Sequence, residues 1–457
     1  MDDFYGKRLV ILGLARQGKA LAAFAAQAGA RVTVSDLRSA EKLQDVMAEL
    51  EGLRITYVLG EHPMELLDGT DALAISGGVP IDAPLVEEAQ RRGIPVTNDS
   101  QEFVKRAPAS VIGITGSAGK STTTALTGLM GQMAGRRTWV GGNIGRPLLA
   151  DLHKMAADDM VVQELSSFQL ELWRQSPSVA AVLNITPNHL DRHKTMAAYV
   201  KAKANILRYQ QAGDTAVLSA DDSGSLALSR LVQGRLRLFS LMREVEDGAF
   251  LRDGRIWLRN GSESAVCTVE DIRLRGRHNV LNILAAVTLA DSVGTPIEAM
   301  RRAIRAFTGI EHRLELVRTW RGVHYINDSI ATAPERVLAA LASFSEPIIL
   351  LAGGRDKEME WAPWVERVRA QVKHVILFGD LAEMLEKHLT EPSPDNGRLR
   401  LTRVDTLAEA VTVAAETAES GDVVLLSPGG TSFDTFTNFT ERGEVFRQLV
   451  RKLGKTR

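Results

Sequence analysis

A glycine-rich segment between an apolar run and a helical pattern has the residue types of a phosphate site: residues 111–126 read VIGITGSAGKSTTTAL. Amides of a glycine-rich turn and a helix N-terminus can point together at phosphate oxygens. Lys120 would neutralise phosphate charge, and the hydroxyl of Ser121 or Thr122 could ligate Mg²⁺. The strict P-loop pattern requires a glycine where Ile114 stands, and a glycine/serine turn with a solvated lysine is the alternative. The order of the elements favours phosphate binding by Gly116, Ser117, Ala118, Gly119, Lys120, Ser121 and Thr122.

Polar residues also follow two later apolar runs that have the pattern of strands. MVVQELSSFQLE predicts a strand that ends at Glu164, followed by Ser166, and AVLNITPNHLDRH predicts a strand that ends at Asn184, followed by His189. Because ligands bind at the carboxyl ends of strands in such sheets, these groups fit a Mg²⁺ and substrate site. Taken singly, a residue such as Glu164 or His189 is a solvated or capping residue about as often as it is a functional one. Lys203 lies in an amphipathic helical segment, where a lysine is normally exposed, and spacing alone assigns it no role.

The N-terminal residues carry a weaker signal for a nucleotide. They predict a strand over Arg8–Leu12, a helix over 16–28 and a second strand over 31–35. The turn between strand and helix, GLARQG, is a dinucleotide fingerprint with Ala15 in place of the middle glycine. The helix N-terminus would receive a diphosphate, and Asp36 would meet a nucleoside. A tight turn without a ligand is one alternative, and a dinucleotide-dependent oxidoreductase is another.

Three α/β stretches organise these groups along the chain. Each begins again with strand-then-helix patterning, which is typical of parallel sheets. A length of 457 residues favours roughly two to four domains. We predict domains over residues 1–99, 100–309 and 310–457, the last with strands at PIILLAGG, HVILFGD and DVVLLSPGG.

Composition argues against several classes of protein. The formal net charge of -1 gives no argument for nucleic acid or an anionic membrane as partner. Cys267, the single cysteine, excludes an internal disulfide and a cysteine-rich zinc site. Apolar runs stay short of the ~18–20 residues that span a bilayer, and the N-terminal MDDFYGKRLVILG lacks a signal-peptide pattern. We expect a cytoplasmic protein that binds neither nucleic acid nor membrane.

The chain resembles the Mur ligases over essentially its whole length. The segments that carry the resemblance occur in the family's order: GITGSAGKSTTT, GGNIG, ELSSFQL, NHLDRH, YVKAK, GRHNVLNILAA, HRLE, NDSIAT, GGRDK and LSPGGTSFD. The family's phosphate loop is irregular in the same way. The resemblance implies an α/β protein with an N-terminal Rossmann-like UDP-binding domain, a central P-loop ATPase-like domain, and a C-terminal Rossmann-like domain that binds an amino acid.

The resemblance also implies a reaction and its partners. GGRDK and SPGGTSFDTFTNF favour the member that adds D-glutamate to UDP-N-acetylmuramoyl-L-alanine in peptidoglycan precursor synthesis. That ligase uses ATP and Mg²⁺, two ions being expected, and proceeds through an acyl phosphate and a tetrahedral intermediate. We expect a monomer. The alternatives are a ligase that adds L-glutamate or another amino acid, a folylpolyglutamate synthetase-like enzyme, and an inactive ATP-binding regulator.

Residue roles follow from motif position in the resemblance. The catalytic set is Lys120, Asn143, Glu164, His189 and Lys203. The Mg²⁺ set is Ser121, Glu164, His189 and Lys203, with Lys203 carbamylated by CO₂. ATP would contact the phosphate loop and Asn279, Asn282, Arg313 and Asp328. The UDP-sugar would contact Gly13, Arg16, Gln17, Asp36, Leu37, Arg38, Gly77, Gly78, Asn143 and Ser166.

The implied glutamate pocket contains the main departure from the family. It consists of Thr332, Lys357, Ser432, Phe433 and Phe439. Many members have a lysine where this chain has Ile330 and an asparagine where it has Ala333. The loss of one positive charge weakens the case for a doubly anionic amino acid.

Overall fold

The computed structural model describes residues 2–274, 276–356, 359–391 and 399–454, with Asp191 described by its backbone alone. The chain forms two compact units, the first ending at Phe307 and the second beginning at Thr308. Short 3-10 helices cover Met64–Leu67, Leu148–Lys154, Ala227–Leu231 and Val269–Asp271. Within the described residues, no helix combines the length and the apolarity needed to cross a membrane.

The first unit begins with a five-stranded parallel sheet in the order β3-β2-β1-β4-β5. Its strands are β1 (Arg8–Leu12), β2 (Arg31–Asp36), β3 (Ile55–Leu59), β4 (Ala72–Ile75) and β5 (Val96–Thr97). Its helices are α1 (Arg16–Gln27), α2 (Ala40–Ala48), α3 (Pro84–Arg91) and α4 (Asp99–Arg106). The strand order reverses between β1 and β4, so the carboxyl ends of these two strands border the ligand crevice of such a sheet. The predicted elements 8–12, 16–28 and 31–35 are confirmed to within one residue.

A nine-stranded sheet follows in the same unit, in the order β14-β13-β12-β11-β10-β9-β6-β8-β7. Its strands are β6 (Val111–Thr115), β7 (Thr138–Gly142), β8 (Met160–Glu164), β9 (Val179–Val182), β10 (Thr215–Ser219), β11 (Arg235–Ser240), β12 (Gly248–Arg252), β13 (Arg255–Asn260) and β14 (Ser262–Thr268). Its helices are α5 (Lys120–Met133), α6 (Ser167–Leu170), α7 (Leu190–His193), α8 (Met196–Arg208), α9 (Ser223–Leu226), α10 (Arg277–Ser292) and α11 (Ile297–Ala306). Because β6 lies between β8 and β9, the carboxyl ends of these three strands carry the phosphate loop, Glu164 and Asn184 to one edge.

Two features of this sheet differ from the sequence expectation. The predicted strand ending at Asn184 stops at Val182, so Asn184 lies in the loop beyond the strand. The parallel pattern also ends at β12, because β12, β13 and β14 pair antiparallel. This part contains tight chain reversals, and a short hairpin joins antiparallel strands without the crossover helix that parallel pairing needs.

The second unit is a six-stranded sheet in the order β15-β16-β20-β17-β18-β19. Its strands are β15 (Glu315–Trp320), β16 (Val323–Asn327), β17 (Ile348–Gly353), β18 (Val372–Phe378), β19 (Arg400–Arg403) and β20 (Val423–Gly429). Its helices are α12 (Pro334–Leu341), α13 (Ala362–Gln371), α14 (Ala382–Thr390), α15 (Leu407–Thr417) and α16 (Phe439–Lys452). The three predicted strands of this part correspond to β17, β18 and β20, and the unpredicted β15 pairs antiparallel at the edge.

Candidate active site

The phosphate loop is a tight turn between β6 and α5. Gly119 adopts φ +82°, and a Cβ atom there would lie 2.2 Å from Oδ1 of Asn282, so only glycine fits without rearrangement. Lys120 is the first residue of α5, which places its amide and charge at the positive end of the helix. The turn therefore has the backbone form and the cation of an anion site.

Asn184 holds this turn in place. Its Oδ1 accepts from the amide of Ala118 at 2.8 Å, and its Nδ2 donates to the carbonyl of the same residue at 3.1 Å. Its own carbonyl accepts from the amide of Ser117 at 3.0 Å. The Ser117 hydroxyl donates to the carbonyl of Thr186 at 2.9 Å. Asn184 thus stabilises the backbone conformation of the phosphate loop. The sequence had not predicted this role.

Two lysines converge on one carbonyl of the loop. Nζ of Lys120 donates to the Gly116 oxygen at 2.8 Å, and Nζ of Lys203 donates to the same oxygen at 2.9 Å. Lys203 also donates to Oγ1 of Thr115 at 3.2 Å and is only 1% exposed. Burial lowers the pKa of Lys203 well below 10.5; the charge of Lys120 lowers it further, while Glu164 opposes the shift. The general expectation of an exposed helical lysine is therefore wrong for Lys203.

Tyr199 completes the surroundings of Lys203. The Lys203 ammonium lies 4.8 Å from the centre of the Tyr199 ring, and the Tyr199 hydroxyl is 2.9 Å from Oγ of Ser117. Tyr199 precedes Lys203 by four residues on α8, so both side chains lie on one face of that helix. This spacing was the sequence signal that could have identified Tyr199.

Glu164 and Asn143 form the acidic part of the site. Nδ2 of Asn143 donates to Oε1 of Glu164 at 2.7 Å, and the Asn143 amide donates to the Glu164 carbonyl at 2.9 Å. Glu164 is 1% exposed, and its Oε2 has no hydrogen-bond partner among the described residues. A buried carboxylate oxygen without a partner is costly, so this atom is suited to a cation.

The metal expectation can be tested against the donors present. Across the described part of the chain, no group of three or more His, Cys, Asp or Glu side chains is arranged to hold a metal ion. Mg²⁺ usually binds through one or two carboxylates together with substrate phosphates and water. The unpaired oxygen of Glu164 beside a phosphate loop with a buried Ser121 hydroxyl fits that mode.

His189 lies at the start of α7 in an unusual backbone conformation. Its φ of +54° is left-handed, which costs free energy in a residue other than glycine and often marks a functional position. The imidazole is exposed, and its ring centre is 5.0 Å from that of Phe168. The sequence reasoning did not identify Phe168, whose ring contacts this imidazole.

Asn279 and Asn282 lie in the first turns of α10, close to the phosphate loop. Nδ2 of Asn282 donates to Oδ1 of Asn279 at 3.2 Å, and Asn282 borders Gly119. Ser166 instead caps the short helix α6, where its hydroxyl and amide both pair with Gln169. The candidate ATP residues of the first unit are therefore brought together; Ser166 caps α6, and its contact with the UDP-sugar stays a prediction.

The crevice of the first sheet contains the candidate UDP residues. Oδ2 of Asp36 accepts from the Leu14 amide at 2.7 Å and from Arg38 at 2.7 Å. Burial raises the pKa of Asp36, but these hydrogen bonds and the Arg38 charge outweigh it and set the pKa at about 2. Gly13 has φ +84°, which permits the turn after β1. Asp36 thus fixes the turn, and Leu37 beside it is 66% exposed.

Arg16, Gln17 and the loop after β4 connect this crevice to the central sheet. Oε1 of Gln17 accepts from the Gly77 amide at 3.0 Å, which joins α1 to the loop containing Gly78. Arg16 donates to the Gly145 carbonyl at 2.7 Å, in the loop that follows Asn143. Arg16, a candidate diphosphate contact, thus borders the loop that carries Asn143, a candidate catalytic residue.

The second unit holds the other candidate set around Asp328. Its Oδ2 accepts from Ser427 at 2.8 Å and its Oδ1 from the Leu314 amide at 3.2 Å. Burial raises the pKa of Asp328 to about 7, against these hydrogen bonds and the charges of Arg313 and Arg336. Arg313 belongs to the turn that donates to this carboxylate.

The candidate glutamate residues lie in the loops of the same unit. Ser432 is buried, Phe433 is 57% exposed, and Phe439 begins α16 with its carbonyl accepting from Ser329 at 2.8 Å. Thr332 precedes α12, and its amide donates to the Ile330 carbonyl at 2.9 Å. Lys357 lies outside the described residues.

Three domain families match the chain. Residues 7–98 match the Mur ligase MurD-like N-terminal domain, residues 114–290 the Mur ligase middle domain, and residues 312–430 the Mur ligase glutamate ligase domain.

Curated relatives match at nearly full length. The chain is 40% identical over 448 residues to UDP-N-acetylmuramoylalanine--D-glutamate ligase of Clostridium botulinum, covering 98% of this chain and 97% of that protein. It is 42% identical over 450 residues to the enzyme of the same name from Symbiobacterium thermophilum, covering 98% of each.

Solved structures support the same fold at lower identity. UDP-N-acetylmuramate-alanine ligase of Thermotoga maritima is 20% identical with a TM-score of 0.57, covering 98% of this chain and 99% of that one. MurF of Acinetobacter baumannii is 16% identical with a TM-score of 0.57, covering 97% and 93%.

Proposed function

The chain belongs to the Mur ligase family, and we propose that it is an ATP-dependent ligase that joins D-glutamate to UDP-N-acetylmuramoyl-L-alanine. The observation that carries this proposal is the identity of 40% and 42%, along nearly the full length, to two enzymes named for that reaction. The convergence of Lys120, Lys203 and Glu164 on the phosphate loop supports the phosphoryl-transfer half of it. The product belongs to peptidoglycan precursor synthesis.

The first step activates the carboxylate of the UDP-sugar substrate. A carboxylate is a poor electrophile, so one of its oxygens attacks the γ-phosphorus of ATP; the new P–O bond gives an acyl phosphate, and ADP leaves. Crowding of negative charge is the main barrier to this step. Lys120 and the amides of residues 117–120 supply fixed positive charge and donors to the phosphates. Asn279 and Asn282 would hold the nucleoside.

The residues around Glu164 would hold Mg²⁺. When bound, Mg²⁺ neutralises phosphate charge and orients the transferred group. Glu164 would offer its unpaired Oε2, and Ser121, His189 and a carbamylated Lys203 would complete the protein donors of two ions. Carbamylation requires a neutral amine, and the burial that lowers the pKa of Lys203 supplies one.

The second step forms the amide bond. The glutamate amine attacks the acyl carbon, and the new C–N bond gives a tetrahedral intermediate; the intermediate loses an amine proton, its carbonyl re-forms, and the C–O bond to phosphate breaks, so that phosphate leaves. His189 would position the acyl phosphate or remove a proton from the amine, and Asn143 would lie near the reacting carboxylate. Thr332, Ser432, Phe433 and Phe439 would line the amino-acid pocket, with Lys357 as its cation; Arg313 and Asp328 would contact ATP.

The remaining assignments follow from the family. The UDP part would bind at the carboxyl ends of β1 and β4, where Gly13, Arg16, Gln17 and Gly77 lie, with Asp36, Leu37, Arg38 and Gly78 beside it. We propose the domain limits 1–99, 100–309 and 310–457. We also propose a cytoplasmic monomer; the cytoplasmic location follows from its nucleotide substrates, which belong to that compartment.

Phosphate release with defined substrates tests the proposal. The enzyme is incubated with ATP, Mg²⁺, a panel of UDP-sugar acceptors and a panel of amino acids, and the product mass is determined. We expect release only with UDP-N-acetylmuramoyl-L-alanine and D-glutamate, with one amide formed per phosphate. A better rate with L-glutamate, with a neutral amino acid or with a folate acceptor would overturn the assignment.

A further inference from the structure

Arg192 joins the central sheet to the loop after β4. It lies on α7, and its two terminal nitrogens donate to main-chain carbonyls of that loop, to Gly77 at 3.0 Å and to Val79 at 2.8 Å. The loop is also fixed to its own sheet, since the Gly77 amide donates to Gln17 at 3.0 Å. Arg192 therefore sets the position of this loop relative to the central sheet.

The same guanidinium packs on the aromatic ring that contacts His189. The Cζ atom of Arg192 lies 4.0 Å from the centre of the Phe168 ring. The centre of that ring lies 5.0 Å from the centre of the His189 imidazole. The Phe168 ring also stacks on His193 at 5.1 Å with an interplanar angle of 13°. A planar, forked cation can stack and donate two parallel bonds at once, which lysine cannot do. The Arg192 side chain thus contacts the loop at residues 77–79 directly and the His189 imidazole indirectly, through the Phe168 ring.

A second arginine crosses in the opposite direction. Arg16, at the start of α1, donates to the Gly145 carbonyl at 2.7 Å in the loop after Asn143. The two arginines therefore contribute two separate hydrogen-bonded contacts between the first sheet and the central sheet, and each contact borders a candidate catalytic residue. Two separated ties fix orientation as well as distance.

We propose that Arg192 is a positioning residue that aligns the bound UDP-sugar with His189. This inference rests on the proposed function, because it assumes that the loop at residues 77–79 holds the uridine part. The nucleotide part binds to the first sheet, and the reacting carboxylate must reach groups on the central sheet. Without Arg192, the nucleotide still binds, but the carboxylate is presented out of line.

Replacement of Arg192 separates binding from alignment. Arg192→Lys keeps the charge but loses the fork, and Arg192→Gln loses the charge as well. Misplacement by about 1 Å can cost about 100-fold in rate. We expect kcat to fall about 10-fold in Arg192→Lys and about 100-fold in Arg192→Gln. The Kd of UDP and the KM of ATP and of D-glutamate should stay within about threefold of wild type. Arg208→Gln, at an exposed position on α8, is the matched control and should keep wild-type kcat.

Hydrogen exchange gives a readout independent of turnover. Amides of residues 77–82 should exchange faster in Arg192→Lys, while those of β1 and β6 should not change. The inference is overturned if kcat stays within threefold of wild type in both variants. It is also overturned if UDP and ATP affinity fall together with thermal stability, because that result indicates general structural support. Failure of the proposed function is distinguishable, since wild-type enzyme would then release no phosphate with UDP-N-acetylmuramoyl-L-alanine and D-glutamate.

Discussion

Replacement of Lys203 tests whether this buried amine works as an anion. The unmodified amine is 1% exposed and, within the part of the chain that the structure describes, donates to two neutral oxygens, those of Gly116 and Thr115. Its lowered pKa makes the neutral form available. A neutral amine adds to CO₂: the nitrogen–carbon bond forms, one amine proton is released, and an N-carboxylate with one negative charge remains. Lys203→Ala removes that charge from the neighbourhood of Glu164 and Lys120.

The expected loss of kcat in Lys203→Ala can be calculated from the contribution of one preorganised charged group. Removal of one such group from a buried, water-excluded site costs about 2.7–4 kcal/mol, or about 10²–10³ in kcat. The alanine variant also frees the volume of the side chain next to the Gly116 carbonyl. A short carboxylic acid can occupy that volume and return the charge without the tether, so we expect formate or acetate to restore activity at least 10-fold.

Phosphate release with the three proposed substrates is the assay, with and without added carboxylic acid. Lys201→Ala, an exposed position on the same helix, is the control and should keep full activity. Wild-type enzyme should lose activity in CO₂-free buffer and regain it with bicarbonate. Activity of Lys203→Ala within threefold of wild type would refute the reasoning. So would rescue by methylammonium in place of acetate, because the amine itself would then be the working form.

Three further changes test the other candidate groups. Lys120→Ala should lower ligase activity by several orders of magnitude with an unchanged fold, measured by phosphate release and circular dichroism, because it removes the cation of the phosphate loop; near-normal activity would contradict this. The pKa of Asp36 falls from 3.8 to about 2 on folding, so Asp36 stabilises the native state above pH 3.8 by about 2 kcal/mol, and this contribution is lost as the pH falls towards 2. In Asp36→Asn, the free energy of unfolding should therefore change less between pH 5 and pH 2 than it does in the wild-type protein. An unchanged pH dependence would contradict the assignment. Lys357→Ala should raise the KM of D-glutamate by about 10- to 100-fold, since a charge-assisted contact contributes roughly 1.5–3 kcal/mol, and leave the KM of ATP unchanged; equal changes in both would argue against a glutamate contact.

Strand positions were predictable where burial forces a continuous apolar run. Arg8–Leu12 and Val111–Thr115 are examples, because each lies inside a parallel sheet and is covered on both faces. The end of β9 was not predictable in this way. Asn184 follows Leu183, which is still buried, so the apolar run continues past the last paired residue, Val182. After Val182 the chain leaves the strand ladder, and Asn184 makes hydrogen bonds to Ser117 and Ala118 of the phosphate loop instead.

The residue types of the candidate site were predictable from the sequence, but the contacts that these residues make across the fold were not. The loop and Glu164 follow from local pattern, since the loop comes directly after β6 and Glu164 is the last residue of β8. The burial of Lys203 depends on Thr115, which lies 88 positions earlier in the chain, and no local periodicity contains that contact. Arg192 is similar, because its partners Gly77 and Val79 lie on another sheet. From sequence alone, a charged residue in a short polar segment is predicted to be exposed to solvent, because its partners are distant in the chain.

The departure at Ile330 shows how a position-by-position comparison can misjudge charge. The sequence has isoleucine where the family resemblance leads us to expect lysine, which predicts a loop with one cation fewer. In the fold, NH1 of Arg336 on α12 donates to the Ile330 carbonyl at 3.0 Å. A positive charge therefore lies beside this loop, supplied from the first turns of the following helix. Since the field at a loop depends on where charges lie and not on which residue carries them, Ile330 alone gives no argument against an anionic amino acid.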